Sequence, residues 1–187
     1  MTSRRFSALT DVMLRSGNPD ESFFYLGGPM TGIPQFNFPR FFEVGDRLRG
    51  QGYNIISPAE LDDPDTEAAA LASPDGAPGS GAANGESYED FLGRDLIIVS
   101  LPTCIGMICL ENWHSSRGAR GESWVIAYLK KQLLEYDDSS GEIVLTQIER
   151  DARLSELGVP NYARGAVPSD KPGMLTAGLA SLKEAGR

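Results

Sequence analysis

Two acidic side chains stand where a helix should be apolar. Glu122, Ile126, Leu129 and Leu133 recur at i, i+4, i+7 and i+11, which is one helical face. Ile126, Leu129 and Leu133 form a stripe suited to packing on a sheet, and Glu122 continues it at one end. A surface glutamate belongs on the opposite face, so the spacing lodges this carboxylate in a cleft. Asp95 interrupts a second apolar face, with Tyr88, Phe91, Leu92 and Val99 three, four or seven residues away. Two carboxylates at ligand-facing positions suit glycosidic chemistry: one attacks an anomeric carbon while another group assists the leaving group. Each also has a plainer reading. Glu122 can be a first-turn glutamate favoured by the helix dipole, and Asp95 a helix-surface carboxylate paired with a nearby arginine. On the residues alone, both readings stand.

The segment Trp113-His114-Ser115-Ser116-Arg117-Gly118-Ala119 precedes the helix that carries Glu122. Ser116 can cap that helix, whose first free N–H groups would point at an anion, and Arg117 can add charge-assisted contacts to a phosphate. A well-capped helix is the alternative. Trp113, Phe36 and Phe38 could stack on a base or simply pack. His114, the one histidine, reads as solvent-exposed. Cys104 and Cys109 lie five apart in what reads as one strand, so the pleat sends them to opposite faces and no intramolecular disulfide is expected. With so few histidines and cysteines, no metal centre and no cofactor are expected.

Positioning these groups requires an α/β scaffold. Residues 22–26 read as an apolar strand stopped by Gly27-Gly28-Pro29. A helix opens at Asn37-Phe38-Pro39 and stops between Gly50 and Gly52, followed by a second strand from Tyr53 to Ser57. Residues 62–86 hold almost no large apolar side chain and read as a mobile loop or lid. A helix at 87–101, a buried strand at 103–110, a helix at 118–135 and a strand at 142–148 follow. Residues 1–21 read as a loosely attached arm with a short helix near 7–15, and residues 151–187 as an extension with a helix near 174–184. Alternating strands and helices imply right-handed βαβ units and a mostly parallel sheet of four or five strands covered on both faces, a three-layer α/β sandwich. Ligands of such sheets bind beyond the carboxyl ends of the strands. The loops after Tyr25, Ser57 and Leu110 should therefore line the site.

Length and charge narrow the classes. The 187 residues suit one domain, residues 22–150, with extensions at both ends. A formal charge of −9 argues against wrapping a nucleic-acid backbone. No apolar run is long enough to span a bilayer and no secretory signal is evident, so a cytoplasmic protein is expected.

In chain order, Tyr25-Leu26-Gly27-Gly28-Pro29-Met30-Thr31-Gly32, Phe38-Pro39, Gly52-Tyr53, Ser57-Pro58-Ala59-Glu60, Arg94-Asp95-Leu96 and Trp113 through Glu122 resemble a small nucleoside 2-deoxyribosyltransferase-like group of bacteria and their phages. The resemblance spans about residues 23–148. It implies a flavodoxin-like homo-oligomer that cleaves the N-glycosidic bond of a (deoxy)nucleoside or nucleoside 5′-monophosphate, with hydrolysis favoured over base transfer. Ser116, Gly118 and Glu122 match the Ser-x-Gly-x-x-x-Glu arrangement that carries the nucleophile in these relatives. Tyr25 matches the tyrosine that orients it, and Asp95 an aspartate near the sugar and leaving base. Gly27, Gly28, Met30, Thr31, Gly32, Trp113, Ser116, Arg117 and Gly118 are then expected to contact substrate. Cys104-Ile105 replace an acidic residue common in the hydrolases, and Met30-Thr31 stand where monophosphate hydrolases carry an arginine. These departures motivate a second reading, a catalytically silent nucleotide-binding protein.

Overall fold

The computed structural model describes residues 4–78 and 85–145. Short runs of aromatic and β-branched residues become five strands: β1 (Phe23–Gly27), β2 (Ile55–Ile56), β3 (Cys104–Cys109), β4 (Gln132–Asp137) and β5 (Glu142–Leu145). Their order is β2-β1-β3-β4-β5; neighbours among the first four are parallel, and β5 runs antiparallel to β4. This is the flavodoxin-like order, with its topological switch between β1 and β3. The α/β sandwich expected from the sequence is what forms.

Helices cover both faces. Successive side chains of β1 alternate: Phe23 and Tyr25 join one core cluster, Phe24 and Leu26 the other. On the second face lie α2 (Phe38–Gly50), whose buried stripe is Phe38, Phe41, Val44 and Leu48, and α3 (Pro64–Ala72). On the first face lie α1 (Arg4–Met13), α4 (Tyr88–Ser100) and α5 (Arg117–Tyr128), through Met13, Ile98, Val99, Ala119, Ile126 and Ala127. A reciprocal capping box between Ser87 and Asp90 fixes the start of α4, and Ser116 Oγ accepts the Ala119 N–H at 3.3 Å to start α5. Asn37 occupies the cap position of α2 but does not cap it. Its φ is 62°, and its Nδ2 instead donates to Pro29 O at 2.9 Å, tying α2 to the loop after β1.

Four expectations are corrected. Residues 64–72 form α3 rather than part of a mobile loop. Asp63 accepts the N–H groups of Asp65 and Thr66, and Thr66 and Ala70 are buried. Beyond α3, Gln35 N–H donates to Ser73 O and Gly32 N–H to Gly76 O, stitching the segment to the loop after β1. Small side chains suffice there because the opposing aromatic surface supplies the apolar area; residues 79–84 lie outside the described chain. The Glu122 helix ends at Tyr128, not Glu135. Lys130 turns at φ 58° and residues 132–137 pair with β3 as a strand, so Leu129 is exposed and Leu133 packs from β4. The leading arm is docked: Met13 is 1% exposed, and Arg15 Nη1 donates to Asp62 O at 2.8 Å. Cys104 and Cys109 face the same core, because a register shift beside Cys104 inserts an extra residue; both thiols are free. The expected helix near 174–184 and the end of the last strand, 146–148, lie outside the described residues.

Lys131 ties α4 to the turn before β4. Its Nζ donates to the carbonyls of Val99 and Leu101, both at 2.6 Å, satisfying acceptors left open at the helix end. Lys131→Met is expected to cost about 1–2 kcal/mol. Denaturant unfolding should show a lower midpoint with an unchanged slope.

Candidate active site

The end of β1, the middle of α4 and the N-terminal half of α5 converge at the topological switch. Tyr25 enters from β1 and is fully buried, while Glu122 and Asp95 are each 7% exposed. Glu122 reaches back from α5 over the end of β1. A Cβ placed on Gly27 would lie 3.2 Å from Glu122 Oε2, and one on Gly118 would lie 4.0 Å from Oε1. The carboxyl group is thus held between the close of β1 and the first turn of α5.

Asp95 forms an ion pair with its chain neighbour Arg94. Arg94 Nε donates to Asp95 Oδ1 at 2.9 Å, and the same guanidinium, through Nη1, donates to Asp62 Oδ1 at 2.5 Å. The ring of Phe91 lies 5.5 Å beneath it. Asp62 follows β2, so two largely buried carboxyls share a single guanidinium, whose charge also reaches Glu122 without a direct contact. The Tyr25 phenol faces the Asp95 and Glu122 carboxyls, both of which act on it by charge and as hydrogen-bonding groups, although neither contact has ideal hydrogen-bond geometry.

The electrostatics follow from burial. Desolvation pushes Glu122 well above the usual carboxylate range, and the negative charge of Asp95 pushes it further. Desolvation raises Asp95 as well, against the opposing pull of Arg94. Burial opposes charge on Arg94, but Asp95 and Asp62 outweigh it and raise the guanidinium. Burial, then Asp95 and Glu122, lift Tyr25 well above the phenol range, so it keeps its proton at neutral pH. Two buried carboxyls whose affinities for protons are both raised and mutually dependent titrate as a pair, the first proton lost making the second harder to remove. Such a pair offers a carboxylate nucleophile beside a carboxylic acid.

A match to a family model covers residues 22–135, and that family is described as a domain of unknown function, DUF4406. The chain belongs to this family. No curated protein and no solved structure matches it significantly. The matched span holds Tyr25, Asp62, Arg94, Asp95 and Glu122, and leaves out α1 and β5.

In this DUF4406 chain the remaining expected contacts divide into two groups. Gly27, Gly28, Ser116 and Gly118 lie around the two carboxyls or abut the loop after β3: Ser116 caps α5, and a Cβ on Gly28 would come within 2.9 Å of Leu110. Arg117 is exposed and stands 5.7 Å over the ring of Tyr88. Met30 packs partly into the α2-side core, whereas Thr31 and Gly32 are exposed on the loop after β1. Trp113 is 4% exposed and donates its Nε1–H to Glu135 Oε1 at 2.9 Å, which is core packing rather than a stacking platform. His114 is exposed, as expected.

Asp62 gives no sign in the sequence of its closeness to this site, and Tyr88 enters there only as an apolar neighbour on the Asp95 face. Tyr88 opens α4 with its hydroxyl beside Gly118, and Glu122 and Asp95 both act on it electrostatically. Its ring is 41% exposed, so it stands at the rim. A phenol among apolar helix positions reads as packing, and the partners that bring these residues inward come from distant elements.

Gly27 is sterically committed. A Cβ there would lie 1.9 Å from Met107 Cε and press on the Glu122 carboxyl. Gly27→Ala is expected to cost about 1–3 kcal/mol and to perturb the carboxyl pair. Thermal unfolding would register the first effect, and a displaced titration of Glu122 the second.

Proposed function

We propose that this chain cleaves the N-glycosidic bond of a nucleoside or nucleoside monophosphate, with Glu122 as nucleophile and Asp95 as acid and base. The observation that carries the reading is the buried carboxyl pair, Glu122 and Asp95, set against the fully buried Tyr25 phenol at the β1/β3 switch. The Ser116, Gly118 and Glu122 spacing, with the Tyr25 to Gly32 motif, supports kinship with nucleoside 2-deoxyribosyltransferase-like enzymes.

In the first step a Glu122 carboxylate oxygen bonds to C1′ as the C1′–N bond breaks through an oxocarbenium-like transition state. The electron pair leaves on the base nitrogen, which takes the proton from Asp95. The Tyr25 hydroxyl turns to a Glu122 oxygen and orients it. In the second step water attacks C1′ of the glycosyl ester, Asp95 takes a water proton, and Glu122 departs as carboxylate. Water is the acceptor we favour, since the rim beside Tyr88 is open to solvent. Trp124 and Tyr128 stack on the exposed side of α5 at 5.2 Å, with Leu129 exposed beyond them, which supports assembly as a homo-oligomer. No helix among the described residues is long and apolar enough to cross a membrane, in keeping with a cytoplasmic enzyme.

The test is incubation with a panel of ribo- and deoxynucleosides and their monophosphates, with free base followed by chromatography. Base released without an added acceptor is the expected result. A new nucleoside formed only when a second base is supplied would make the reaction transfer. A nucleotide bound tightly and recovered intact would replace the enzymatic reading with a binding one.

A further inference from the structure

Glycosidic cleavage needs a proton on Asp95 and none on Glu122, yet Asp95 lies directly on an arginine. An arginine devoted to one carboxylate keeps that carboxylate ionised and unable to donate. Here the guanidinium is divided. Its Nε serves Asp95 at 2.9 Å and its Nη1 serves Asp62 at 2.5 Å, with the Asp62 side chain only 8% exposed. Asp62 is itself held from outside the family-matched region, by Arg15 Nη1 on its backbone carbonyl at 2.8 Å, from the turn that follows α1.

We propose that Asp62 is a positioning residue for the proton donor: by occupying one edge of Arg94 it prevents the guanidinium from neutralising Asp95 alone, and Arg15 keeps it in place. This rests on the glycosidase reading above. The charged and titratable groups around Asp62 all bear on this balance. Arg94 and Asp95 face it from α4, Glu86 from the segment before α4, and Asp63 from its own turn. Arg15 approaches from the α1 side, while Tyr25 and Glu122 lie beyond Asp95. The negative charge of Asp62 favours the protonated form of Asp95, and Arg94 opposes it. With Asp62 present the pair keeps its proton. With Asp62 neutral, Arg94 attends to Asp95 and the proton leaves at lower pH.

The experiment compares wild type, Asp62→Asn, Asp62→Glu and Arg15→Ala. In Asp62→Asn the alkaline limb of the kcat–pH profile should move down by about one pH unit, kcat at neutral pH should fall about tenfold, and KM should hold. Asp62→Glu should restore much of the limb, and Arg15→Ala should shift it in the same direction by less. A second readout needs no turnover: carbon-13 NMR of the Asp95 side-chain carboxyl should titrate at lower pH in Asp62→Asn than in wild type. A limb and a carboxyl titration that both stay put, with only kcat or stability reduced, would make Asp62 merely structural and overturn the proposal. If wild type releases no base from any nucleoside while the Asp95 titration still moves, the coupling holds and the glycosidase reading fails. The two failures are therefore separable.

Discussion

Glu122→Gln should abolish base release while making the fold more stable. Removing a nucleophile from an assembled site lowers kcat by about 10³–10⁶-fold, and glutamine keeps the volume and polarity that packing requires. The stability gain follows from the sign of the proton linkage. Burial raises the Glu122 carboxyl above its unfolded value, so the folded state binds that proton more tightly. Its stabilising contribution is therefore complete at acid pH, below the unfolded carboxyl range, and is lost as pH rises through the folded value. Above that window wild type carries a poorly solvated charge beside Asp95 that the variant lacks. Melting curves should nearly coincide near pH 4 and separate as pH rises, reaching about 1–2 kcal/mol, or several degrees in Tm. A variant less stable than wild type across the whole range would mean that Glu122 is a structural partner rather than a strained functional group.

Asp95→Asn should reduce cleavage by about 10²–10⁴-fold, the range for loss of a positioned general acid, and the loss should depend on the leaving group. A purine already made cationic by methylation at N7 departs without being protonated, so its nucleoside should lose far less rate than the unmethylated compound. Arg94 remains paired with Asp62 in this variant, so the fold should persist. The ratio of kcat/KM for the two nucleosides, in wild type and variant, reports the role directly. Equal losses on both would assign Asp95 to binding or structure.

Much of this site was legible one residue at a time. The spacing of Glu122 with Ile126 on one helical face left a cleft carboxylate and a first-turn glutamate both open, and the structure buries both side chains. For Asp95 the plainer reading, pairing with a nearby arginine, holds in Arg94, but the side chain is buried beside Val99 rather than on the surface. Leu129 and Leu133 were misassigned because leucine suits helix and strand alike. Pairing with β3 decided the matter, and Lys130 adopted a left-handed turn without a glycine to mark it. Residues 64–72 read as loop because composition measures what a segment can bury alone, whereas α3 borrows the aromatic surface of its neighbours. Asp62 was hidden for a related reason: its partners, Arg94 and Arg15, are separated from it by 32 and 47 residues. The cysteine faces were inverted by one inserted residue, which no pleat count anticipates.

Covalent trapping tests the central claim most directly. A nucleoside carrying fluorine at C2′ disfavours the oxocarbenium-like transition state, and a good leaving base lets the first step outrun the second. Intact-mass measurement after incubation should then show one added fluorosugar per chain, and peptide mapping should place it on Glu122, with none in Glu122→Gln. Base release from wild type with no adduct, or an adduct on any other residue, would contradict a glutamate nucleophile at this position.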